Sequence, residues 1–228
     1  MEMIQFINVS KRYDSGYEAL SQLSFSVQKG ELVFLTGHSG AGKTTIIKLI
    51  AMLERPTQGQ VIFNQTNLNQ YNDRTILKLR QQMGIIFQNP HLLSDRNVFE
   101  NVALPLYITG FNYKEIPKRV RAALDKVGLL RKEKMLPAAL SAWEQQRVSI
   151  ARAIVNRPIA LLADEPTGNL DPDLAKDIMS LFQQFHQVGV TLLVASHDLA
   201  LIAKLPHRII SLQRGRLKRE QEQEAFTV

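Results

Sequence analysis

Cysteine is absent from the 228 residues, so neither disulfides nor thiolate metal sites can contribute, and a reducing compartment fits. No apolar run approaches the ~18 residues that a membrane-spanning helix needs. The longest, residues 46–53, is interrupted by Lys48. No signal peptide is visible, since Glu2 comes first and no basic segment precedes an apolar one. Aromatic residues are sparse at 7%, with Trp143 the single tryptophan. Acids are outnumbered, 21 against 28 Lys and Arg, which leaves a formal charge of +7. A cytoplasmic chain is expected. What is present, 45% apolar and 21% charged residues, belongs to a folded chain rather than a disordered one. The length suits one domain or a core with a subdomain. Internal repeats and low-complexity segments are not evident.

The positive charge points to an anionic partner: a nucleotide, a nucleic acid or an anionic membrane face. Basic residues concentrate at Lys114–Lys134 and in the tail at Arg214, Arg216, Lys218 and Arg219. Both stretches also read as solvated faces. Neither is interleaved with aromatics as a single-strand-binding surface would be, so no nucleic-acid partner is expected.

Residues 4–9 and 23–27 read as strands, as do 31–36, the VIFN segment from Val61 and the short run 85–87. Residues 46–53 read as helix. From Asn89 to about Asn156 the pattern is helical, with breaks expected at Pro105, Gly110, Pro117, Gly128 and Pro137. Residues 159–163 and 191–195 are continuous apolar runs of the kind found in parallel strands buried on both faces. Residues 174–188 between them read as a crossover helix. This alternation implies an α/β parallel sheet with a helical insertion. The division expected is a nucleotide-binding core at 1–88 and 157–228 and a helical subdomain at 89–156.

GHSGAGKT at 37–44 fits the phosphate-binding pattern G-x-x-x-x-G-K-[ST], with a strand before it and a helix after. Through Gly37, His38, Ser39, Gly40, Ala41 and Gly42, backbone N–H groups can close around phosphate oxygens at a helix N-terminus. Lys43 neutralises β- and γ-phosphates, Thr44 Oγ ligates Mg²⁺, and Thr45 follows. A nucleoside triphosphate and Mg²⁺ are expected there.

The strand at 159–163 ends in Asp164 and Glu165, at the sheet edge where α/β proteins bind ligands. Adjacent strand residues face opposite ways, so two jobs are expected. Asp164 would hold Mg²⁺; Glu165 would orient and deprotonate the attacking water. A polar strand end is the alternative. His197 follows another buried strand at the same edge, as a γ-phosphate contact or a merely structural histidine.

In this order, the residues resemble the ATP-binding subunits of ABC transporters across nearly the whole chain. The phosphate loop at 37–44, Gln88 after a short strand, LSAWEQQR at 140–147, the acidic strand at 159–165, Asn169-Leu170-Asp171 and His197 all fall in the family's order. The resemblance implies a P-loop NTPase fold, RecA-like in its parallel core, with an antiparallel β region and a helical subdomain. It implies Tyr13 as an adenine-stacking ring, Gln88 as a Mg²⁺ and water contact that senses a membrane partner, and Asn169, Leu170 and Asp171 as a dimer loop. Ser141, with Ala142, Trp143 and Glu144, would bind the γ-phosphate held by a second subunit, so that ATP closes a head-to-tail homodimer. GHSGAGKTT with His38, the run 84–106 and LLADEPTGNLDP are most similar to the family's cell-division branch. Its ATPase pairs with the integral membrane protein FtsX at the cytoplasmic face of the bacterial inner membrane and regulates cell-wall hydrolysis. The segment 88–106 would grip that partner. Lipoprotein-releasing or macrolide-exporting ATPases are the alternative, as is an ATP-dependent scaffold with weak turnover.

The family's signature reads LSGGEQ where this chain has LSAWEQ. An indole at 143 is hard to place if the backbone there needs φ > 0. Three readings stand: Trp143 turns away from the dimer face, the closed dimer forms poorly, or the pair is not native. The residues favour an intact cassette with a compromised signature.

Overall fold

In the computed structural model, residues 1–71, 75–168 and 170–221 are described. The chain begins with two long strands, β1 (Glu2–Arg12) and β2 (Glu18–Gln28), paired antiparallel. Then come β3 (Leu32–Thr36), α1 (Lys43–Ile50), β4 (Gln58–Phe63) and the short β5 (Thr66–Asn67). After α2 (Ile76–Arg80) and β6 (Met83–Ile86) the chain leaves the sheet for α3 (Val98–Ile108), α4 (Ile116–Lys126) and α5 (Ala142–Ile154). It returns as β7 (Ala160–Asp164), α6 (Pro172–Gln187), β8 (Thr191–Ala195) and α7 (Leu199–Ile202). An antiparallel hairpin, β9 (Arg208–Gln213) and β10 (Arg216–Gln221), follows.

Two sheets result. One is antiparallel, in the order β2-β1-β4-β5; the other runs β10-β9-β3-β8-β7-β6, parallel except for the β10 edge. All five residues of β3, β7 and β8 are buried, so these strands need cover on both faces. The two-residue period divides their side chains between two cores. Val33, Leu35, Leu162, Leu193 and Ile210 pack against α1 and the antiparallel sheet. Phe34, Leu161, Leu192, Val194 and Ile209 pack against α3, α4, α5 and α6. The parallel sheet and the antiparallel β region are thus both as the sequence implied.

The helical stretch differs in two ways from the pattern. Residues 89–97 form no helix. Asn97 starts α3 with a reciprocal capping box to Glu100, and fully buried Asn101 ties the preceding loop. Its amide donates to the carbonyls of Leu93, Arg96 and Asn97, and its Oδ1 accepts from Leu93 N–H at 2.8 Å. Pro105, expected to break the helix, lies inside α3. It forfeits one backbone bond a turn before the helix ends, while Val98, Val102, Ala103 and Leu106 stay locked in the core. Pro117 opens α4 at its first turn, where its missing N–H costs nothing. Gly110 and Gly128 end α3 and α4, each with positive φ.

Candidate functional site

The carboxyl ends of β3, β7 and β8 meet at a cavity of about 600 Å³ lined by Tyr17, residues 38–45, Gln88, Glu165 and His197. The loop from β3 into α1 makes most of it. Gly42 caps α1 with φ +108; a Cβ there would lie 2.6 Å from Leu20 Cδ2, and one at Gly37 would lie 2.5 Å from the Leu212 carbonyl oxygen. Only glycine fits such approaches. No side chain caps α1 and no acid sits in its first turn, which leaves its N-terminal N–H groups and dipole to an outside anion. Lys43 is 7% exposed and donates to the Gly37 carbonyl at 2.7 Å. His38 Nδ1 bonds the Ser39 carbonyl at 2.7 Å.

Asp164, at the end of β7, accepts from Thr44 Oγ1 at 3.1 Å. Burial pushes its carboxyl above the usual carboxylate range, with Glu165 adding to the effect and Thr44, Lys43 and Lys48 opposing it. The next residue breaks the strand alternation: Glu165 has φ +49 while its N–H holds the Ala195 carbonyl at 2.9 Å. This turn brings its carboxylate into the cavity. Oε1 lies 3.2 Å from Lys43 Nζ, and Oε2 lies 2.6 Å from His197 Nδ1 and 3.2 Å from the His197 N–H. The two acids therefore have different partners, Thr44 for one and Lys43 with His197 for the other.

Among the described residues no cluster of three or more His, Cys, Asp or Glu could cage a metal by itself. A hydroxyl beside a single buried carboxylate instead fits Mg²⁺, which keeps waters and takes substrate phosphates as ligands. Gln88 lines the same cavity, its amide against Gly168.

Tyr13 is tied by its hydroxyl to Thr45 Oγ1 at 3.4 Å, and Lys11 Nζ stands 4.9 Å from its ring centroid. Tyr17 reaches the cavity itself, donating to the Gly40 carbonyl at 3.1 Å. Sequence reasoning missed Tyr17, which carries no motif; its place depends on how the β1–β2 turn folds over the loop.

Ser141 and Glu144 form the reciprocal cap of α5, and Glu144 is held by Lys132. The helix starts at Ala142, directly after Ser141. Neither Ala142 nor Trp143 has positive φ. The indole packs on the α3–α6 core with the Arg147 guanidinium 4.1 Å from its ring centroid. Ala142 borders a small hollow with Gln88, Gln146 and Leu170. Asp171 caps α6, accepting from the N–H groups of Asp173 and Leu174. Asn169 lies outside the described residues.

Residues 20–168 match the model of the ABC transporter family. The chain belongs to that family. It is an ATP-binding, ATP-hydrolysing cassette that works with Mg²⁺. It is 53% identical to the cell division ATP-binding protein FtsE of Escherichia coli over 94% of this chain and 97% of that protein. It is 42% identical to the FtsE of Mycobacterium tuberculosis, over 98% of each. Among solved structures, the cassette resembles the dimeric post-hydrolysis ATP-binding cassette MJ0796 bound to ADP and Pi, with TM-score 0.90 and 33% identity over 98% of this chain and 100% of that one. Among the described residues no helix is long and apolar enough to cross a membrane.

Proposed function

We propose that the cassette is the ATP-driven subunit of a cell-division membrane complex. It would dock on an FtsX-like integral membrane partner at the cytoplasmic face of the inner membrane and regulate cell-wall hydrolysis. The observation that carries the reading is the convergence of Lys43, the Thr44–Asp164 pair and the Glu165–His197 pair on one cavity at the sheet edge. The 53% identity to a cell-division relative supports the choice of process.

In this reading residues 37–45 cradle the phosphates of ATP, with Lys43 on the β- and γ-groups and Tyr13 beside the base. Thr44, Asp164 and Gln88 would hold Mg²⁺, which offsets phosphate charge when bound. The γ-phosphate takes Lys43 from Glu165, and the released carboxylate accepts a proton from the attacking water. His197 bonds Glu165 through Nδ1 and leaves Nε2 to face the phosphate. The start of α5, with Ser141, Ala142, Glu144 and the backbone of Trp143, meets the γ-phosphate of a second copy in a head-to-tail dimer, the indole turned onto its own core, and Leu170 and Asp171 lie at the crossing. The segment 88–106 grips the membrane subunit, on a core made by 1–88 and 157–228 and a helical part at 89–156.

The test is co-expression of the cassette with an FtsX-like protein, followed by reconstitution in vesicles. Co-purification and stimulation of Mg²⁺-dependent ATP hydrolysis are expected. Stable pairing with a lipoprotein- or macrolide-exporting subunit instead, with no effect of the FtsX-like protein, would overturn the assignment.

A further inference from the structure

A second cavity, of about 380 Å³, opens among α4, the end of α5, the start of β7 and the end of α6. It lies at the amino-terminal end of the parallel strands: Pro158 and Leu161 line it, whereas Asp164 of the nucleotide site ends the same strand. Its volume is within the roughly 300–1,000 Å³ of small-molecule sites. Leu161, Phe185 and Val188 give it apolar walls, and Val188 is 77% exposed at the rim.

Three cations, Arg119, Lys126 and Arg157, line the same space, and among the described residues no acidic side chain does. Arg119 Nη1 is buried with no hydrogen-bond partner among the described residues, while the guanidinium carbon lies 4.9 Å from the Phe111 ring centroid. Burial first, and then repulsion from Arg157, lowers the pKa of Arg119 below its usual value; Glu115 opposes them. Arg157 itself is held at φ +53, its N–H bonded to the Ile154 carbonyl at 2.8 Å. A desolvated donor beside a like charge is costly unless an acceptor reaches it. A bare inorganic anion would leave the apolar walls unused. A neutral hydrocarbon would leave the guanidinium unpaired.

We propose that this cavity binds a single-chain amphipathic anion of the fatty-acid class. The carboxylate is held between Arg119 and Arg157, and the acyl chain lies along Leu161, Phe185 and Val188. The site is separate from the nucleotide cavity and does not depend on how that cavity works.

The test is calorimetric titration of the full chain with decanoate below its micelle concentration, with acetate and decyltrimethylammonium as comparison probes. Saturable one-to-one binding of decanoate is expected, with both comparison probes at least about tenfold weaker. Replacing both arginines by Met (Arg119→Met with Arg157→Met) should weaken decanoate at least about tenfold. Because Arg119 is partly buried, Val188→Glu provides a second variant at an exposed position; it should also weaken decanoate while basal ATP hydrolysis is unchanged. No saturable binding of decanoate, equal affinity for decyltrimethylammonium or for acetate, or unaltered binding by both variants overturns the proposal.

Discussion

Replacing Trp143 by Gly asks whether the indole obstructs the cassette or stabilises it. In the structure the ring is half-buried on the α3–α6 core and stacked by Arg147, and its backbone is helical. Losing the stacking removes about 0.5–1 kcal/mol. Glycine in place of a helix former near the start of α5 costs up to about 1 kcal/mol more. Uncovering half of a large aromatic adds about 1–2 kcal/mol. The sum, about 1.5–4 kcal/mol, corresponds to a fall in melting temperature of about 3–16 °C for a chain of this length. The assay is calorimetry of wild type and Trp143→Gly without nucleotide, paired with ATPase rates at 25 °C. Because the ring turns back onto its own helix, kcat should stay within about threefold. A melting temperature within about 2 °C of wild type would refute the packing argument. A rise in kcat of about tenfold or more would show that the ring obstructs closure.

Glu165→Gln should lower kcat by about 10²–10⁴-fold and leave ATP bound in a dimer detectable by light scattering; near-normal turnover would remove Glu165 as the base. Asp164→Asn should raise the melting temperature without nucleotide while turnover falls by about 10²-fold or more. The sign follows from the raised carboxyl of Asp164. The native state holds a proton that the unfolded chain has released, so stability falls as pH rises from the ordinary aspartate value through the raised one. The gain from Asn is therefore full above that window and fades toward about pH 4; a lower melting temperature at pH 7 would contradict it. Asn101→Leu strips the 88–97 loop of four side-chain hydrogen bonds and should cost about 3 kcal/mol or more, read as a lower urea midpoint. An unchanged midpoint would show that the loop is held by other contacts.

The phosphate loop and the buried strands were legible because each depends on local pattern. Residues 32–35, 160–163 and 192–195 are short apolar runs, buried throughout, which a doubly covered sheet accommodates. The left-handed turn at Glu165 was not legible. Glutamate has no preference for φ > 0, and the conformation follows from its N–H reaching Ala195 on the neighbouring strand. The adjacency of Glu165, Lys43 and His197 is likewise tertiary, since those residues are far apart in the chain. Pro105 misled the helix reading because propensity counts the lost backbone bond but not the buried residues on either side that hold α3 in place. Asn101 has no motif at all. Its importance lies in the loop carbonyls that fall within reach of its amide.

With Glu165 as the proposed base, the same tertiary contacts would tie its release to the arrival of ATP. Glu165 has one carboxylate oxygen on Lys43 and the other on His197, so the carboxylate is anchored at both oxygens. Lys43 in turn is nearly buried, between the loop carbonyl of Gly37 and that carboxylate. A γ-phosphate carries more charge than a carboxylate and would also meet the uncapped start of α1, so it would outcompete Glu165 for the lysine. Losing that ion pair would release Oε1 from the lysine, while His197 would still fix the carboxylate through Oε2. On the proposed mechanism the base would thus be both released and aimed by the binding of the group it acts on. Removing His197 would leave it released but not aimed.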